Sequence, residues 1–246
     1  MQRYKGEVYA TDLIGCGTIG GDTWDPNVRG LFFPLSWVQQ CETLIQTIRR
    51  PCAVICQGAI APVGVVLASR DCERRTKKVS HLILASPPEY NDMIHPLPQK
   101  DLEWNYNFYR SPVTGGFAFG ALENRSAIWL FSNLFLFDSP ISINDSFVTN
   151  AAEECRNPKL RPPIMAFNAG LLLHRSLRDD LASIQQPTLI LSGVADIRNN
   201  GRQGYKTGMK DCTLKTIRGK NILPWESSGE VCEELTDFIL RRSQEK

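Results

Sequence analysis

Residues 51–70 read Pro-Cys-Ala-Val-Ile-Cys-Gln-Gly-Ala-Ile-Ala-Pro-Val-Gly-Val-Val-Leu-Ala-Ser-Arg. No other stretch constrains the fold as much. It opens as a short apolar run and turns at Gln57-Gly58. It then continues with Ala59, Val63, Val66 and Leu67 at helical spacing, so the pattern predicts strand, tight turn, helix. A strand that folds straight back into a helix leaves no room for bulk, which accounts for the small residues at the turn.

The flanking text repeats that alternation. Residues 7–13 predict a strand ending in the turn Ile14-Gly-Cys-Gly. A glycine-rich loop covers 20–27. A helix then starts at Pro34–Ser36, with Leu35, Val38, Ile45 and Ile48 on one face and Gln39, Glu42, Gln46 and Arg49 on the other. Asp71 to Lys78 predicts a charged connection. Residues 79–88 predict a buried parallel strand stopped by two prolines, with His81 near its start and so at the end of the sheet where ligands do not collect. Residues 186–196 and 214–217 predict two more strands, separated by a polar, glycine-rich loop from Asn199 to Gly208. The closing helix sets Val231, Leu235, Phe238 and Ile239 on one face. The order is doubly wound α/β with a mostly parallel sheet.

Between residues 89 and 180 the text changes. Strand alternation stops, aromatics crowd in, and 126–137 and 163–178 predict helices. This organisation predicts a core made of 1–88 and 181–246 with a helical cap inserted at 89–180. Its aromatics pack a cap core or, with Trp104, Tyr109, Phe117 and Trp129, line a pocket for an apolar small molecule.

Composition narrows the function. A formal net charge of +2 over 246 residues offers no basic footprint for nucleic acid. No run approaches the roughly 20 apolar residues of a membrane span. The eight cysteines contain no C-x-x-C pair, which predicts buried thiols in a reducing compartment and no metal. Cys52 and Cys56 share a strand face by period two. Asp12-Leu13-Ile14-Gly15-Cys16-Gly17 lacks the third glycine and the acidic residue of a dinucleotide site, so no cofactor is expected. The first residues show no signal- or transit-peptide pattern.

Three motifs, in order, resemble those of α/β hydrolases: the 51–70 element, Pro187-Thr-Leu-Ile-Leu-Ser-Gly-Val-Ala-Asp196, and Gly219-Lys-Asn-Ile-Leu-Pro-Trp-Glu226. Asp12 to Gly17 also matches a strand end of that family, and Leu223-Pro-Trp-Glu226 is similar to its plastid and cyanobacterial branch. The resemblance covers nearly the whole chain. It implies that 56–60 is the nucleophile elbow, Gly-x-Ser-x-Gly in the family, with Gly58 in the serine's place; a second register puts Ile60 there and Pro62 in the first helical turn. It implies that Asp196 holds the acid position and Asn221 the histidine position. Neither Gly58 nor Ile60 can attack, and Asn221 has no basic nitrogen. Cys56 is the one thiol at the elbow that could substitute, given a paired base.

The resemblance also implies that the family's third strand, which belongs between the 7–13 strand and the elbow strand, is missing. The backbone groups it leaves open predict direct pairing of 8–10 with 53–56, or a strand from a protein partner. Three functions stay open. The first is a non-hydrolytic pseudoenzyme that binds a ligand or a protein, and the second a hydrolase with non-standard catalytic residues. The third is a subunit of a larger plastid assembly docked by its sheet edge. Plastid or cytoplasm is the expected location.

Overall fold

A computed structural model describes residues 6–16 and 35–244. Among the described residues the sheet has four parallel strands, β1 (Cys52–Gln57), β2 (Val79–Ala85), β3 (Thr188–Gly193) and β4 (Cys212–Ile217), in the order β1-β2-β3-β4. The inner strands β2 and β3 are almost wholly buried, as their unbroken apolar runs require when both faces are covered. The edge strands β1 and β4 are only partly covered.

Helices α1 (Leu35–Ile48) and α2 (Ala61–Arg74) pack on one face of the sheet. There Val38, Ile45, Val63, Val66 and Leu67 join Leu82, Leu84 and Ile190 in the larger core. The long C-terminal helix, α12 (Ser228–Gln244), covers the other face. It brings Val231, Leu235 and Phe238 against Ile83, Leu189, Leu191 and Ile217. Glu230 in its first turn and Arg241 and Arg242 in its last suit the helix dipole. His81 is buried with its ring edge-on to Phe238, centroids 5.8 Å apart, and so packs.

Between β2 and β3 the chain is helical: α3 (Tyr90–Ile94), α4 (Gln99–Arg110), α5 (Thr114–Leu122), α6 (Arg125–Phe131) running on as a π-helical turn (Ser132–Leu136), α7 (Asp145–Glu154), α8 (Arg161–Asn168) and α9 (Arg178–Ser183). Two further short helices are α10 (Tyr205–Gly208) and α11 (Leu223–Glu226).

Several expectations need correction. Residues 7–13 form no strand, and no ladder joins 8–10 to 53–56. Side chains of α1 instead hold the backbone just beyond 8–10, at Asp12 and Ile14. Gln40 Nε2 donates to the Asp12 carbonyl (2.7 Å), Gln40 Oε1 accepts from Ile14 N–H (2.9 Å), and Trp37 Nε1 donates to the Ile14 carbonyl (2.9 Å). Val8 and Tyr9 stay exposed, so the alternation there buries no face. The turn that follows is present, with Gly15 at φ 85°. The 20–27 loop and Pro34 lie outside the described residues.

The connection after α2 begins only at Arg75, which takes φ 54° and stops the helix. The 163–178 helix likewise ends at Asn168, because Gly170 adopts φ 88°. The 199–208 loop is instead a 3₁₀ turn (Asn200–Gly204) followed by α10, and it carries the buried Arg202 and Tyr205.

Candidate functional site

Gly58, Asp196 and Asn221 each follow the carboxyl end of a strand, β1, β3 and β4 respectively. At the end of β1 the backbone turns through Gly58 at φ 60° into a 3₁₀ turn (Gly58–Ile60) and then α2. A side chain at that φ is costly by about 1–2 kcal/mol. Space, however, is available: a Cβ on Gly58 would meet nothing nearer than Asn221 Oδ1, 3.9 Å away. The structure therefore sets Gly58, in the first register, opposite Asn221. Gln57 Nε2 donates to the Asn221 carbonyl at 2.7 Å and fixes that loop on the elbow. Six residues on, Gly64 lets α2 close on β1, because a Cβ there would lie 2.6 Å from Cys56 Sγ.

Asp196, after β3, is buried but does not address Asn221. Its Oδ2 holds the guanidinium of Arg202 at 2.7 Å, and its Oδ1 accepts from Arg198 N–H at 3.0 Å. Arg202 is fully buried; it also donates to the Pro87 carbonyl (2.7 Å) and to Ser192 Oγ (2.6 Å). A carboxylate committed to a buried guanidinium is not available to orient a base. Arg202 is the residue that sequence reasoning missed. It stands in a polar, glycine-rich stretch whose composition announces a solvated loop.

Cys56 fares no better as a nucleophile. It is buried against Gly64, and burial, with a smaller push from Cys41, moves its thiol from 9.0 up to about 12. That is the inert end of cysteine behaviour. Ile60 closes the 3₁₀ turn as a partly buried residue packed on the core.

The helical insertion is clamped over this loop. The Leu136 carbonyl accepts from both Asn221 N–H (3.0 Å) and Ile222 N–H (3.2 Å). Glu226 accepts from Lys220 N–H and Asp138 N–H, and Lys220 Nζ donates to the Leu134 carbonyl (2.6 Å).

The aromatics proposed to line a pocket do not converge. Trp104 is 67% exposed and stacks on Phe108, and Tyr109 leans on Phe119. Phe117 is 82% exposed. Trp129 lines an open cavity of about 340 Å³ between α6 and α7, shared with Arg125, Ile143, Asp145 and Val148. Neither reading of these four aromatics, as a packed core or as one pocket wall, describes Trp104 or Phe117. The short helices carrying them leave those side chains uncovered. Among the described residues no cluster of three or more His, Cys, Asp or Glu could hold a metal ion.

No protein-family model and no curated relative matches the sequence. Solved structures do match the fold. A proline iminopeptidase from Mycobacterium smegmatis superposes with a TM-score of 0.65 at 14% identity, covering 94% of this chain and 78% of that one. A meta-cleavage product hydrolase from Pseudomonas fluorescens gives 0.65 at 13%, over 94% and 78%. The enol-lactonase from Burkholderia xenovorans gives 0.59 at 13%, over 84% and 72%. Identities this low speak for architecture alone. The parallel sheet covered on both faces, the turn at Gly58 and these superpositions lead to one conclusion: the chain has the α/β-hydrolase fold.

Proposed function

We propose that the protein is a non-hydrolytic member of its fold, a scaffold that binds a ligand or a protein instead of turning over an ester. The observation that carries this reading is the Asp196–Arg202 pair. Loss of the nucleophile at Gly58 and of the base at Asn221 could each be a local change. A buried guanidinium on the remaining acid rebuilds the site around a different, static purpose. The helical segment between β2 and β3 is the cap, divided from the core near residues 89 and 180.

The test combines a panel of p-nitrophenyl esters with a fluorophosphonate probe, applied to the natural protein and to Gly58→Ser with Asn221→His. The expected result is no turnover and no labelling in the natural protein, with no more than a trace in the double variant, because Asp196 still serves Arg202. Turnover in the natural protein, with acylation traced to Cys56, would establish the alternative of an ester or thioester hydrolase with non-standard residues.

A second reading concerns the partner. On the side away from β2, strand β1 has no ladder among the described residues, and Ile55 is 50% exposed. An extended strand from another polypeptide fits that edge. A larger plastid assembly, suggested by Leu223-Pro-Trp-Glu226, is one setting for it. Copurification from stroma, with a cross-link mapping to β1, would support that placement.

A further inference from the structure

The least expected surface of the molecule lies on the helical insertion. Residues 111–137 contain two charged side chains, Glu123 and Arg125, and both are ion-paired within the protein, to Arg161 and Asp145 respectively. Leu130, Phe131, Leu134 and Phe135 stand at i, i+1, i+4 and i+5 along α6 and its π-helical turn, which puts them on one face. Each is more than half exposed, and the rings of Phe131 and Phe135 lie 5.1 Å apart. Beyond this stripe, Val113, Phe117 and Ile141 project with 79%, 82% and 96% of their surface free.

The stripe is held in place from behind. Ser132 and Phe137 are buried, Ser132 Oγ donates to the Ile128 carbonyl (2.7 Å), and the carbonyls of Leu134 and Leu136 are those that clamp the Lys220–Ile222 loop. An apolar surface of this kind, fixed in place and left bare, marks an interaction site.

We propose that this face of the insertion docks on a lipid bilayer, lying in the interface with Phe117 and the Leu130–Phe135 stripe among the acyl chains. Two observations favour lipid over a protein. Side chains that stand nearly free need a matching hollow in a protein partner, whereas hydrocarbon is fluid and closes around any shape. A protein interface also carries a polar rim and about one hydrogen bond per 100–200 Å², whereas 111–137 has two charges, of which Glu123 is largely buried in its pair with Arg161 and Arg125 is turned to Asp145. The charge balance states which lipid. Residues 89–180 hold more acidic than basic side chains, so the attraction is apolar and gains nothing from anionic headgroups. No described helix is long and apolar enough to cross a membrane; the contact is one-sided. This inference does not depend on whether the protein turns over a substrate.

The test is flotation of the full chain with phosphatidylcholine vesicles, with and without phosphatidylserine, at low and high salt. The natural protein should float with neutral vesicles at either salt, and adding phosphatidylserine should not strengthen binding. Phe117→Ser with Phe131→Ser and Phe135→Ser should lower the bound fraction about tenfold or more, as loss of buried apolar area requires. Because all three are exposed, the melting temperature should hold, and that measurement separates lost binding from lost folding. Failure to float, binding only with phosphatidylserine, or unchanged binding of the triple variant would each overturn the proposal. So would a natural protein that stays off vesicles but sediments as a dimer which the triple variant breaks, since that would give the face to a second copy.

Discussion

Arg202 occupies the Asp196 carboxylate. A guanidinium buried among Asp196, Ser192 and the Pro87 carbonyl is tolerated because Nε, Nη1 and Nη2 each donate to an acceptor. Arg202→Met should therefore strand a buried carboxylate and cost about 3–5 kcal/mol of stability. Adding Asp196→Leu should recover much of that loss, as read by urea denaturation; equal losses in the single and double variants would show that Asp196 contributes nothing through the pair. Cys56 gives a pH test. Its thiol titrates near 9.0 when unfolded and is raised to about 12 in the fold. Above pH 9 the unfolded state binds fewer protons than the native state, so stability falls as pH rises, by up to about 1.4 kcal/mol per pH unit for one thiol. Cys56→Ala should flatten part of that slope between pH 9 and 12, and an unaltered slope would assign it to other groups such as Cys212, also raised to about 12 by burial. The sequence placed Gly58, Asp196 and Asn221 at their strand ends, because motif order travels with topology. It did not reveal that Asp196 faces Arg202. That pairing depends on a tight 3₁₀ turn, and nothing in Asn-Gly-Arg-Gln-Gly says that its arginine points inward.

At the level of elements, legibility followed the hydrophobic period. β2, β3 and α12 were readable because each buries a face whose spacing shows in the residues. The 7–13 segment shows the same alternation yet forms no strand: Val8 and Tyr9 stay exposed, and α1 holds the chain only at Asp12 and Ile14, through Gln40 and Trp37. Aromatic crowding in the insertion was equally ambiguous. Composition cannot distinguish rings that pack from rings that project, and both kinds occur there. The contact between β1 and α2 is where small residues are required. Gly64→Ala would set a methyl group against Cys56 Sγ, an overpacking that should cost about 1–3 kcal/mol. Gly64→Ala with Cys56→Ala should be more stable than Gly64→Ala alone, because the second change removes the sulfur the methyl strikes. Thermal melts of the three variants would reveal the coupling, and simple additivity would mean that the helix slides to make room.

At the scale of the whole molecule, the outer side of β1 carries no ladder among the described residues. Natural edge strands discourage pairing with charges, prolines or bulges, and β4 follows that practice with Lys215 in its ladder, paired to Glu234. β1 reads Cys-Ala-Val-Ile-Cys-Gln, with no charge and no proline, and its one irregularity lies at the Cys52–Ala53 end. Ile55, in its middle, is 50% exposed. Buried backbone groups left without partners cost about 1–3 kcal/mol each, so a protein with this edge gains by placing another strand there or else leaves the edge to water. If it recruits a strand from a second copy, the purified chain should associate with rising concentration. Ile55→Lys should then suppress that association, because a lysine on the edge must be desolvated before a strand can approach. The same change should move stability little, by about 0.5 kcal/mol or less, as expected for an exposed position. Light scattering across a dilution series, beside a melting curve, checks both parts. Association that persists in Ile55→Lys but disappears in the Phe117, Phe131 and Phe135 triple variant would move the contact from the sheet edge to the helical insertion. A loss of several kcal/mol would instead mean that Ile55 is covered, and that β1 already has a neighbour on its outer side.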